Sequence, residues 1–134
     1  MVRFPALRTC LVFCDHGAMT RVLIVDDHPS FRASARAVLE AEGFEVVGEA
    51  EDGRAAVAAV RALAPDVILL DVQLPDANGF ELCELFCRNG SRPSIVLVSS
   101  RDASDYNGLI ETSLARGFIS KADLSGDAFR ALLA

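Results

Sequence analysis

Val67-Ile68-Leu69-Leu70-Asp71, followed by Val72-Gln73-Leu74-Pro75-Asp76, is the stretch whose reading decides the fold. Four large apolar residues in a row, with no polar alternation, describe a strand covered on both faces, as in the middle of a parallel sheet. A carboxylate ends the run. At the carboxyl end of a buried strand it projects into the crevice where open α/β sheets bind ligands, so Asp71 reads as a nucleophile.

Working outward, Val22-Leu23-Ile24-Val25 is a second fully apolar strand, and it also ends in carboxylates, Asp26-Asp27, followed by His28. Pro29 suits the first turn of a helix, Phe31, Ala35, Val38 and Leu39 recur at helical spacing, and Gly43 closes that helix. Phe44 to Glu49 alternates enough for an outer strand. Asp52 caps a helix carrying Val57, Val60 and Leu63 on its buried stripe, and Pro65 ends it. Pro75 to Gly79 form a turn, and Phe80 to Cys87 read as a helix with Leu82, Cys83 and Phe86 toward the sheet. Gly90 and Pro93 break the chain before the strand Ser94 to Val98, which runs into Ser99-Ser100. Asp102 to Ala115 reads as a weaker helix, because Asn107-Gly108 inside it costs about 1 kcal/mol relative to good helix formers, and it is expected to be the most mobile. Gly117-Phe118-Ile119-Ser120 is the last strand, ending at Lys121, and Asp127 to Leu133 is a closing helix.

Strands separated by single helices are parallel with right-handed crossovers. The expected fold is therefore a doubly wound α/β sandwich: a five-stranded parallel sheet in the order 2-1-3-4-5 with helices on both faces. That order places the ends of the first and third strands side by side, and Asp26, Asp27 and Asp71 then converge. Three carboxylates in a partly dry crevice repel one another, so a cation among them is the expected answer. Hard oxygen ligands select magnesium or manganese over zinc, and such an ion keeps open positions for a phosphate, which favours phosphoryl chemistry.

The 134 residues, 51% of them hydrophobic, suit one domain with a sizeable core. A net charge of -6 argues against a nucleic-acid partner, since phosphate binding needs a basic face. The four cysteines, Cys10, Cys14, Cys83 and Cys87, read as free thiols, because small secreted disulfide scaffolds are far richer in Cys and poorer in core residues. No apolar run approaches the roughly 18 residues that span a bilayer, so no membrane association and a cytoplasmic location are expected. Residues 1–18 carry no periodic pattern and are expected to form an N-terminal extension, with Met19 an alternative start; the domain proper is expected over 19–134.

Four segments now stand in order at predicted strand ends: Val22-Leu23-Ile24-Val25-Asp26-Asp27-His28; Ile68-Leu69-Leu70-Asp71-Val72-Gln73-Leu74-Pro75-Asp76-Ala77-Asn78-Gly79; Val96-Leu97-Val98-Ser99-Ser100; and Gly117-Phe118-Ile119-Ser120-Lys121. Together they resemble the receiver domain of two-component response regulators over Thr20 to about Leu133. The Asp-Asp-His-Pro and Lys-Ala-Asp segments look most like receivers of the LuxR/NarL-type regulators, and the chain is expected to lack their DNA-binding output domain. The resemblance implies a phosphoryl group taken by Asp71 from a sensor histidine kinase or phosphotransfer protein. It implies Mg2+ or Mn2+ held by Asp26, Asp27, Asp71 and the Gln73 backbone carbonyl, and Lys121 as a fixed cation. It also implies Ser99 as donor to the phosphoryl group, with Phe118 following it in a switch that presents a face to a downstream protein or a second copy. Phe118 lacks the hydroxyl of a tyrosine at that place. Gln73 and Arg101 are expected to tune the phosphate's lifetime. The resemblance makes the chain a catalyst of its own phosphorylation and dephosphorylation rather than a conventional enzyme.

Three rivals are weighed on the same residues. An aspartate-nucleophile phosphatase needs an acid two residues after the nucleophile, where Gln73 stands. A flavin-binding module would be repelled by Asp26-Asp27 at its phosphate loop. A degenerate receiver serving only protein contacts has no use for the intact acidic set and Lys121.

Overall fold

The structure, a computed structural model, describes residues 19–88, 93–106 and 108–134; the expected extension over 1–18 lies outside them. The elements run β1 (Arg21–Val25), α1 (Pro29–Ala41), β2 (Glu45–Ala50), α2 (Gly53–Leu63), β3 (Val67–Asp71), α3 (Gly79–Cys87) and β4 (Ser94–Ser99). A 3-10 turn (Ala103–Tyr106), α4 (Leu109–Thr112), β5 (Gly117–Ser120), a second 3-10 turn (Lys121–Asp123) and α5 (Gly126–Leu133) complete the chain. The strands form one parallel sheet in the order β2-β1-β3-β4-β5, as the sequence predicts.

The unbroken apolar runs still obey the two-residue period of a strand, because each face of the sheet has its own core. Val22, Ile24, Val67, Leu69, Val96 and Val98 meet Ala35 and Leu39 of α1 and Phe129 of α5. Leu23, Val25, Ile68, Leu70, Ile95 and Leu97 meet Ala56 of α2, Leu82 and Cys83 of α3, and Tyr106. Fully burying each such side chain contributes about 1.5–3 kcal/mol, so the three central strands are the part of the molecule least free to shift register.

Local chemistry sets the helix ends. Asp52 accepts a hydrogen bond from Ala55 N–H at 2.8 Å, Asn78 from Phe80 N–H at 2.7 Å and Ser125 from Ala128 N–H at 3.0 Å, each satisfying an amide the helix leaves unpaired. Gly43 leaves α1 at φ +102, a left-handed conformation that favours glycine. No helix among the described residues is long and apolar enough to cross a membrane.

The single helix expected over Asp102 to Ala115 is not found. The described residues of the segment form a 3-10 turn and one short helix, with Gly108 at φ +84 before α4. Gly108 breaks the helix there, and Tyr106, the one buried residue described between 101 and 112, points into the core.

Candidate functional site

Register brings the site together. Val25 lies opposite Leu70, so Asp26 and Asp71, one step further along their strands, are neighbours. Asp26 is fully buried and Asp71 is 3% exposed, while Asp27 is half-buried. At the other side, Ser99 pairs with Ser120, which leaves Lys121 one step beyond the end of β5. Its Nζ reaches 2.7 Å from Asp26 Oδ2 and 3.5 Å from Asp71 Oδ2, and it sits 4.6 Å from the centre of the Phe31 ring. A cation held over an aromatic face beside two acids has little freedom to leave them.

The turn after β1 is tied from several sides. Asp26 N–H donates to Ala50 O at 3.0 Å, and Arg32 donates to Asp26 O at 2.6 Å. His28 N–H donates to Asp26 Oδ1 at 2.8 Å, and the His28 ring lies with Nδ1 3.1 Å from Asp26 Oδ1 and 3.2 Å from Asp27 Oδ1. The turn after β3 is pinned too. Asp76 accepts from the first amides of α2, Gly53 N–H at 2.7 Å and Arg54 N–H at 3.1 Å, and these bonds hold its carboxyl below the usual range. Gly79 N–H donates to Val72 O at 2.7 Å, and a Cβ on Gly79 would stand 2.6 Å from the Asp71 carbonyl oxygen. Only glycine lets α3 approach the end of β3 so closely.

Burial, and then the charge of Asp26, push the Asp71 carboxyl up to about 6, against the pull of Lys121 and of the Gln73 N–H, which donates to Asp71 Oδ1 at 3.2 Å. Asp71 is thus largely ionised at neutral pH in a place that resists its charge. Ligand atoms of Asp26, Asp27, His28 and Asp71 all lie within 4.8 Å of one another. Asp26 Oδ2 and Asp27 Oδ1 are buried oxygens that accept no hydrogen bond: the first touches Lys121 only as an ion pair, and the second lies beside the His28 ring out of bonding geometry. Charged oxygens short of donors fit a divalent cation, and the three carboxylates of this set suit a hard one. The acids open on a cavity of about 300 Å³ lined by Asp27, His28, Asp71, Gln73, Leu74, Pro75, Ser100 and Lys121.

Of the residues singled out in the sequence, Asp26, Asp27, Asp71, Gln73 and Lys121 meet here. Ser99 is 1% exposed and does not line the cavity: its Oγ lies 2.6 Å from the Tyr106 hydroxyl and accepts from Arg101 N–H at 3.0 Å. Phe118 is half-buried, with its ring 5.8 Å from that of Tyr106, and the Arg101 side chain is exposed. Sequence reading misses three residues. Asp76 follows a proline in a turn, where an acid before a helix start is the available signal; His28 reads only as part of a motif; Tyr106 is hidden inside the helix expected over Asp102 to Ala115.

Residues 22–130 match the response regulator receiver domain family. The DNA-binding transcriptional activator EvgA of Escherichia coli K12 is 32% identical over 101 residues, 75% of this chain and 50% of its own length. The transcriptional regulatory protein LiaR of Bacillus subtilis is 42% identical over 83 residues, 61% of this chain and 39% of its own length. The chain thus spans half or less of these two regulators. Among solved structures, the chemotaxis response regulator CheY4 of Vibrio cholerae superposes with a TM-score of 0.72 at 27% identity, covering 87% of this chain and 97% of that one. The isolated receiver domain of RcsB from Salmonella enterica, in the presence of the phosphomimetic BeF3-, gives 0.76 at 26% identity, covering 87% and 88%. With the strand order, the acidic crevice and a match over most of its length in agreement, the chain belongs to the response regulator receiver domain family.

Proposed function

We propose that this chain is a phosphoacceptor of a two-component phosphorelay, receiving a phosphoryl group on Asp71 from a sensor histidine kinase or phosphotransfer protein. The observation that carries the reading is one crevice holding a buried, ionisable Asp71, two further acids and the Lys121 ammonium. An Asp71 oxygen forms a bond to phosphorus as the N–P bond of a phosphohistidine breaks, and the electron pair of that bond returns to the imidazole, which takes a proton. Asp26, Asp27, Asp71 and the Gln73 carbonyl would hold Mg2+ or Mn2+, which when bound offsets the charge of the transferring group. Lys121 stands 3.5 Å from Asp71 Oδ2, within reach of a phosphoryl oxygen placed there. Gln73 lines the slot, and the exposed Arg101 side chain swings over it from the turn beyond β4, so that the two set how readily water enters. Phosphorylation adds close to two negative charges, and the change is passed to a face that meets a downstream protein or a second copy.

Acetyl phosphate with magnesium, followed by borohydride, tests the assignment, because borohydride reduces an acyl phosphate to an alcohol and marks the residue. Peptide mass spectrometry is expected to find the reduced side chain at position 71. The mark on any other acid, with position 71 untouched, would overturn the assignment.

A further inference from the structure

His28 stands in the turn between β1 and α1, and the function proposed above leaves its side chain without a task. It is the residue before the first turn of α1, yet its side chain makes no capping bond there, unlike Asp52, Asn78 and Ser125 before their helices. The ring turns into the acidic cavity and helps to line it. Its Nδ1 lies 3.1 Å from Asp26 Oδ1 and 3.2 Å from Asp27 Oδ1, and Lys121 Nζ approaches the same nitrogen at 3.4 Å. An ammonium only donates hydrogen bonds, so toward Lys121 the nitrogen presents a lone pair. On the acids beside it, Asp26 Oδ2 and Asp27 Oδ1 are buried and accept no hydrogen bond.

We propose that His28 is a fourth side-chain ligand of the ion in this crevice, and that it biases the site toward first-row transition-metal ions over magnesium. The inference rests on Asp26, Asp27 and Asp71 holding a divalent ion, as the proposed function has them do. Two ligands at right angles about one ion, each about 2.1 Å from it, stand about 3 Å apart. The two distances from Nδ1 match that spacing, and one ligand atom from each of Asp26, Asp27, His28 and Asp71 falls within 4.8 Å of the rest. The His28 N–H, which donates to Asp26 Oδ1 at 2.8 Å, ties the residue to the acid that its ring would join, so little reordering is asked of it. In the sequence the crevice is a set of oxygens, which suits magnesium. The fold adds a nitrogen. Imidazole is a ligand of the transition metals, while magnesium keeps to oxygen and water. The carboxylates thus serve either ion, and His28 decides between them.

Manganese is the probe, because it binds carboxylates as magnesium does and reports its ligands by EPR. Calorimetry of the full chain gives the affinities for Mn2+ and Mg2+, and their ratio is compared between wild type and His28→Ala. The side chain is 63% exposed and the backbone bond to Asp26 does not depend on it, so the variant is expected to fold, which its Mg2+ binding checks. The preference for Mn2+ over Mg2+ is expected to fall at least about tenfold in His28→Ala, the loss brought by removing even a residue that only orients a ligand. Pulsed EPR of the Mn2+-loaded wild type is expected to show coupling to a directly bound imidazole nitrogen. The variant, which keeps the chain's other histidine, His16, is expected to lack it. A smaller fall in the preference, loss of both ions alike, or a nitrogen coupling absent from wild type or retained in the variant would overturn this inference alone. A wild type that binds neither ion overturns the ion's part in the function proposed above, and this inference with it.

Discussion

Asp71 occupies a place whose surroundings work against its charge, and the consequence can be measured without any phosphate. Its carboxyl is raised to about 6, first by burial and then by Asp26. The folded chain therefore holds this proton more tightly than the unfolded chain, where the carboxyl titrates near 3.8. Stability from this group is full below the lower value and is lost as pH rises through the higher one. In metal-free buffer, Asp71→Asn is expected to match wild type near pH 3.5 and to be more stable above pH 6, by about 1–3 kcal/mol in chemical denaturation. Lys121 losing one of its two ion-pair partners keeps the gain from the upper end. Equal stability at pH 7 would show that Asp71 is not strained by its site. Asp26, Asp27, Asp71 and Lys121 are all legible in the sequence because each sits at the carboxyl end of an apolar run. The place of Tyr106 is not, because its contacts are with Ser99, Phe80 and Phe118, which only the folded sheet brings near it.

At the scale of elements, the strands and most helices announce themselves through apolar runs bounded by Gly, Pro and capping residues. Asp52 does cap α2, and Gly43 does close α1. The failure falls on Asp102 to Ala115, where spacing alone suggests one helix and Gly108 enforces a left-handed break. The β3–α3 junction shows the opposite case, a turn fixed by its own side chains. Asp76 pins it to α2, Asn78 caps α3, and Gly79 lets the helix meet the strand. Gly79→Ala sets a methyl group against the Asp71 carbonyl and the Val72 backbone, neither of which can turn aside. It is expected to cost about 1–3 kcal/mol in thermal or chemical unfolding and to slow phosphorylation by moving Asp71. A variant as stable and as fast as wild type would show that the junction yields freely.

For the whole molecule, the order β2-β1-β3-β4-β5 does more than build a core. It sets β1 beside β3, so that two runs ending in acids finish together, and it leaves β5 at the edge, from which Lys121 reaches across to Asp26. That much follows from five alternating strands and helices, since parallel strands need crossovers and crossovers have one hand. The hydrogen bond between Ser99 and Tyr106 is set instead by individual side-chain positions that no periodicity encodes. Phosphoacceptance by Asp71 is decided by the intact mass of wild type and Asp71→Asn after treatment with acetyl phosphate, with and without magnesium. The mass of one phosphoryl group is expected on wild type only when magnesium is present, and none on Asp71→Asn. An unmodified wild type in magnesium, or equal modification of the two proteins, would contradict it.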